Sequence, residues 1–159
     1  MKIGKSGKRN VAAGPRSPGS ISHVVGRLVD ANLNRAAEGL RAIEDVLRFG
    51  YDHAALSSLA RRLRHAFAKS GGLLASRGFL LESRDAAGDV GSDRWRAGVR
   101  RTDLADLLFA NFRRVQESAR VLEESARLAG KPRFARRLQA LRYRAYALEK
   151  MTWLSVGRR

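Results

Sequence analysis

One feature limits what this chain can fold into more than any other: an internal repeat. The run Ala31-Asn32-Leu33-Asn34-Arg35-Ala36-Ala37-Glu38-Gly39-Leu40-Arg41-Ala42-Ile43-Glu44-Asp45 returns 79 positions later as Ala110-Asn111-Phe112-Arg113-Arg114-Val115-Gln116-Glu117-Ser118-Ala119-Arg120-Val121-Leu122-Glu123-Glu124. Ala, Asn, Arg, Glu, Arg and Glu recur at the same spacing, and the copies close on Arg48 and Arg127. Packing alone asks only that apolar positions recur as a class. Here polar side chains recur too, which calls for a second reason.

Each copy reads as an amphipathic helix. At about 100° per residue, Val29, Leu33, Ala36, Leu40, Ile43 and Leu47 share one stripe, and Phe112, Val115, Ala119, Leu122 and Ala126 share its counterpart. Glu38, Arg41 and Asp45 fall opposite, while Asn32 and Glu44, like Asn111 and Glu123, fall at the stripe margins. A polar group beside a core stripe loses water and needs a partner. One reading has these groups tie helices together through hydrogen bonds and ion pairs such as Glu38–Arg41, Arg41–Asp45 and Glu44–Arg48. The other has them line a site.

The remaining chain fits two helical hairpins. Ser20 or Ser22 caps a first helix running to Phe49, with Gly50 beyond its end. Asp52 caps a second from about His53 to Lys69, with Leu56, Leu59, Ala60, Leu63 and Phe67 inward and Gly71-Gly72 ending it. Residues 73–81 suggest a short helical turn and an extended piece, and 82–93 an Asp- and Gly-rich loop. Thr102 caps a third helix carrying the second copy to Gly130. Pro132 opens a fourth, with Phe134, Leu138, Leu141, Ala145 and Leu148 inward, reaching about Trp153. The return helices match loosely, Leu63-Arg64-His65 against Leu141-Arg142-Tyr143. Short connections favour antiparallel neighbours, so the expected fold is all-α: a pseudo-twofold four-helix bundle over residues 20–154. Residues 1–19 read as a flexible basic tail, and 155–159 as a frayed C-terminus.

Composition narrows the chemistry. There are no cysteines, which removes disulfides, thiolate nucleophiles and Cys-based zinc sites, and the three histidines are scattered. No apolar run approaches a membrane span and no secretory core opens the chain, so a soluble cytoplasmic protein is the expectation. Against 15 acidic residues stand 32 Lys and Arg, a net charge of +17, which points to an anionic partner: nucleic acid, a membrane surface or a phosphorylated small molecule. Most of the cations are arginines, whose planar fork suits phosphate. Gly4-Lys5-Ser6 lies too near the N-terminus to complete a phosphate-binding loop.

Two features stand apart from the core. The doubled Asn/Arg/Glu set is expected to face the groove between hairpins. The loop Arg84-Asp85-Ala86-Ala87-Gly88-Asp89-Val90-Gly91 either forms Asx-stabilised turns or gathers carboxylates for a hard cation beside glycine amides that approach an anion.

The segment Leu28–Asp45 is similar to a domain often fused ahead of thiamine phosphate synthase. Arg84–Gly91, Ala110–Glu117 and Leu141–Glu149 resemble the same domain's other motifs, in order, so the match spans roughly residues 25–150. The resemblance implies a small stand-alone kinase of thiamine biosynthesis. Such an enzyme phosphorylates hydroxymethylpyrimidine phosphate to the diphosphate with ATP and does not accept the unphosphorylated alcohol. Phosphoryl transfer to an ionised acceptor needs positioning and charge neutralisation more than a general base. On that chemistry Arg84, Asp85, Asp89 and Arg142 are the candidate catalytic residues, with Asp85 and Asp89 holding Mg²⁺ across the ATP phosphates. Arg35, Arg41, Arg114, Arg120 and Arg144 are candidate phosphate clamps, and Gly88 and Gly91 backbone donors. Asn32 and Asn111 would read the pyrimidine edge or hold the arginines. Glu44 and Glu123 would orient them, and Glu38 and Glu117 are further candidate substrate- and phosphate-binding residues. Association with thiamine phosphate synthase is a further expectation. A basic helical module that grips nucleic acid is the competing class, disfavoured by the carboxylates within the repeats; a non-catalytic partner of a thiamine enzyme is a third.

Overall fold

The computed structural model describes residues 22–91 and 101–156. The expectations for residues 1–19, 92–93 and 157–159 lie outside the described residues. The described chain is all-α. Helix α1 spans His23–Asp45, α2 Ala54–Leu74, α3 Arg77–Ser83, α4 Leu104–Leu128 and α5 Pro132–Val156. A single π-helical turn, Val46–Gly50, continues α1.

The apolar stripes decide the packing. Val29, Ala36, Leu40, Ile43 and Leu47 from the first copy are fully buried, as are Phe112, Val115, Ala119, Leu122 and Ala126 from the second. Each large side chain so buried stabilises the fold by roughly 1.5–3 kcal/mol. Helix α1 touches α2 and α4, α5 touches the same two helices, and α3 packs on α1. The four long helices therefore close a ring in the order α1, α2, α5, α4. The copies run antiparallel, since Leu28 shares a groove with Val121 and Ser125 while Gly39 lies against Asn111 and Val115. A side chain at Gly39 would put its Cβ 2.8 Å from Val115 Cγ2, so glycine permits the close approach of α1 and α4.

Helix ends differ from expectation for identifiable reasons. Ser22 is the α1 cap, its Oγ accepting from Val25 N–H. His53, not Asp52, caps α2 through Nδ1; Asp52 instead turns the chain at φ 49°. Helix α2 runs through Gly71-Gly72 because Gly71 meets α1: a Cβ there would lie 2.5 Å from Leu33 Cδ1. Asp103 caps α4, and Thr102 donates forward to the Asp106 carboxylate, so Thr102 does not take the cap role expected of it. Gly130 ends α4 at φ 69°, as its position suggests. Residues 77–83 are fully helical, and α5 continues past Trp153 to bury Val156.

Candidate functional site

Each repeat copy pins an acid near its C-terminal end, and the return helix answers with an arginine. In the first hairpin Arg64 donates to Glu44 Oε2 through Nε (3.2 Å) and Nη2 (3.0 Å). In the second, Arg142 donates to Glu123 Oε2 through Nε (3.3 Å) and Nη2 (3.1 Å). The loose match of the return helices is thus a structural equivalence. Glu123 also receives Arg120 Nη1 at 3.0 Å and Arg127 Nη2 at 2.5 Å on Oε1, and none of its surface is exposed. Among the described residues Glu44 has only Arg41 besides Arg64, at 3.8 Å. A carboxylate without water needs such partners to remain ionised inside a protein.

These sets do not face one groove between the hairpins. The ring order puts the α1–α2 and α4–α5 grooves on opposite flanks, one set in each. The reason is geometric: antiparallel copies packed through their apolar stripes carry their margins outward on opposite sides.

The α4–α5 groove holds a cavity of about 380 Å³ lined by Arg113, Gln116, Glu117, Arg120, Arg142 and Tyr146. Arg142 spends Nε and Nη2 on Glu123 and donates Nη1 to the Tyr146 hydroxyl at 3.2 Å. It also lies 5.7 Å from the Tyr146 ring centre and 5.2 Å from that of Tyr143. The Tyr146 hydrogen bond, then Glu123, hold the Arg142 pKa above its ordinary value, against desolvation. Gln116 donates Nε2 to Glu149 at 2.7 Å, which fixes its amide. The cavity therefore joins three guanidinium groups, a positioned amide and an aromatic ring. That set suits a flat heterocycle bearing an anion.

Of the candidate residues, Glu117, Arg120 and Arg142 meet here, with Glu123 beneath them. Arg113, Gln116 and Tyr146 were missed. The signal for two of them lay in the mismatches between copies: Gln116 and Tyr146 stand where the first hairpin has Ala37 and Ala68. Arg41 is tied to Asp45 at 3.0 Å on the first flank, whereas Arg35, Glu38 and Arg114 are exposed away from the cavity. Arg144 lines a different groove, between α2 and α5, with Leu59, Leu63 and Met151.

Asn32 and Asn111 each spend an amide proton on their own helix. Each donates Nδ2 one helical turn back, to Leu28 O and Leu107 O, at 2.8 Å. The Asp-Gly bend does not form a cation site in this arrangement. Asp85 Oδ1 caps Gly88 N–H at 2.8 Å, and its Oδ2 lies 3.6 Å from Arg27 Nη1. Asp89 Oδ1 accepts from Gly91 N–H at 2.9 Å. Both glycine amides are thus spent on Asx turns, and Asp85 already faces the Arg27 guanidinium. The pair does not fit Mg²⁺ as placed. Among the described residues no group of three or more acids and histidines converges. Arg84 is held in a two-point pair with Asp30, at 2.7 and 2.8 Å, a hydrogen bond that raises its pKa and clips α3 onto α1. Among the described residues no helix is long and apolar enough to cross a membrane.

The family model described as the ThiD2 family matches residues 27–151. A protein of Nostoc punctiforme named thiamine-phosphate synthase is 40% identical over 130 residues, covering 81% of this chain and 35% of the relative. A Synechocystis sp. protein of the same name is 41% identical over 126 residues, covering 79% and 35%. One from Rhodopirellula baltica, also so named, is 37% identical over 131 residues, covering 79% and 33%. The chain thus spans about a third of the curated relatives it matches. No solved structure matches it.

Proposed function

Since the chain belongs to the ThiD2 family, we propose that it is a phosphotransferase of thiamine biosynthesis that phosphorylates hydroxymethylpyrimidine phosphate to the diphosphate with ATP. The observation that carries this reading is the α4–α5 cavity, in which Arg113, Arg120 and Arg142 surround a space of about 380 Å³ beside Tyr146. A cavity of that size is in the range, roughly 300–1,000 Å³, that holds small metabolites.

In this reading the substrate phosphate lies among the three arginines and the pyrimidine against Tyr146. Gln116, with its Nε2 held by Glu149, keeps its carbonyl oxygen for the ring's amino group. The acceptor oxygen is already ionised and attacks the terminal phosphorus of ATP. The bond to ADP breaks, and no side chain has to remove a proton. Arg142 contributes orientation as well as charge, because Glu123 fixes its plane before substrate arrives. The anion requirement rests on Arg113, which has no carboxylate partner among the described residues, whereas Arg120 and Arg142 already hold Glu123. The substrate phosphate supplies that missing counter-charge, so the unphosphorylated alcohol binds less tightly. No step runs through a cation at Asp85 and Asp89. Association with a thiamine phosphate synthase would follow from the names of the longer relatives and is part of the proposal.

The test is a coupled assay with ATP, Mg²⁺ and hydroxymethylpyrimidine phosphate, beside the unphosphorylated compound. Arg142→Ala should lower kcat/KM for the phosphate about 10- to 100-fold, the worth of one or two hydrogen bonds to a charged group. Arg142→Lys should not restore it, since an ammonium lacks the fork. Equal turnover of both compounds, or an unchanged Arg142→Ala enzyme, sinks the reading. Salt-sensitive binding of nucleic acid without turnover would favour the competing binding module.

A further inference from the structure

The two copies of the repeat diverge at one point that the α4–α5 cavity does not use. In the second copy Arg127 turns inward onto Glu123. Its counterpart Arg48 does not reach Glu44. The π-helical turn Val46–Gly50 begins where α1 would have continued as α4 does, and Arg48 lies over the Phe49 ring instead, 4.7 Å from its centre. π-turns inside helices are uncommon and recur at functional sites. Three residues later Asp52 holds φ 49°, costly for a residue with a side chain.

Beside that turn lies a recess of about 210 Å³ between α1 and α2, lined by Glu44, Arg48, Ser57, Ser58 and Arg61. Its charge is unbalanced toward the positive. Glu44, the acid in its wall, is covered on Oε2 by Arg64 and on Oε1 by Arg41. Asp45, the next acid along α1, holds Arg41 through Oδ2. Neither Arg48 nor Arg61 has a carboxylate partner among the described residues. Ser57 spends its hydroxyl proton on Ala54 O, whereas Ser58 accepts from Arg62 at 2.7 Å and keeps its own proton to donate.

We infer that the α1–α2 recess, through Arg48, Arg61 and Ser58, is a second anion site that takes a dianionic phosphate group. Two guanidinium groups and a hydroxyl donor supply charge-assisted hydrogen bonds to its oxygens. The space suits a phosphate or the phosphate head of a monoester. The site lies on the flank opposite the α4–α5 cavity, so it binds independently of transfer there and does not depend on the kinase reading.

The experiment is a titration of the full ¹⁵N-labelled chain with inorganic phosphate and, in parallel, AMP, at fixed ionic strength, following the arginine Nε–H resonances. Saturable shifts at Arg48 and Arg61 are expected, with an apparent Kd at least ten-fold weaker in Arg61→Ala and partly restored in Arg61→Lys. Arg142→Ala should leave these shifts in place. Comparable affinity for phosphate and AMP identifies a reader of the free anion; tighter AMP binding identifies a reader of phosphate esters. Non-saturating shifts spread equally over exposed arginines, or an Arg61→Ala titration identical to wild type, overturn the assignment.

Discussion

Arg142 reaches Glu123 across the α4–α5 interface with two nitrogens on one carboxylate oxygen, and the same guanidinium bonds the Tyr146 hydroxyl. One residue thereby links the buried core of the second hairpin to the wall of its cavity. The first hairpin builds the matching pair Arg64–Glu44, but with Ala68 in place of Tyr146 it has no aromatic wall. Duplicated scaffolding with unequal walls explains how a symmetric repeat supports unlike surfaces.

The two acids should therefore differ in what their loss costs. Glu123 is fully enclosed and answers three arginines, so Glu123→Ala leaves Arg142 at the interface without a counter-charge, while Arg120 and Arg127 keep Glu124. A loss of about 3–5 kcal/mol is expected. Glu44→Ala should cost less, about 1.5–3 kcal/mol, since Arg64 retains 24% of its side-chain exposure and can rehydrate. Urea denaturation of both variants measures the difference. Equal losses would mean that the enclosure of Glu123 has no energetic consequence.

Thr152 is fully buried in α5, and its hydroxyl has no hydrogen-bond partner among the described residues. Valine has nearly the same shape and carries no such group. Thr152→Val should raise stability by about 1 kcal/mol, with a higher Tm and unchanged helicity. A lower Tm would mean that the hydroxyl is satisfied in solution.

Asp106 accepts from Thr102 through both the backbone N–H and the hydroxyl, and these bonds hold its carboxyl pKa below the ordinary value. A depressed folded-state pKa stabilises the fold above the usual carboxylate range, near pH 4. That stability is lost as pH falls through the folded value. Stability measured from pH 7 downward should thus fall more steeply in the wild-type chain than in Asp106→Asn. Superimposable acid limbs would show that the α4 start does not contribute.

Asp85 caps Gly88 N–H and faces Arg27, and asparagine can keep the first of these contacts. In an active preparation Asp85→Asn should leave the Mg²⁺ concentration giving half-maximal turnover within about two-fold of wild type. This follows from the loop's turn chemistry. A ten-fold shift would return Asp85 to the coordination sphere.

Local rules made much of this legible. The 3.6-residue period assigned the four long helices and named thirteen residues that expose none of their surface, because burial of an amphipathic stripe is dictated by spacing alone. The repeat likewise announced Glu44 and Glu123 as marginal polar groups. Helix ends were less legible, because Gly71 answers to Leu33 and the turn that ends α1 packs on α2 and α4.

The sequence by itself determined the all-α class, the hairpin pairing and the identity of the repeated acids and arginines. Tertiary structure alone decided where they point. Packing two identical stripes antiparallel sends their margins to opposite flanks, so residues that look like one set along the chain become two sites in space. Arg113, Gln116 and Tyr146 acquired their place by the same route, since only the docking of α5 on α4 brings them around Arg142.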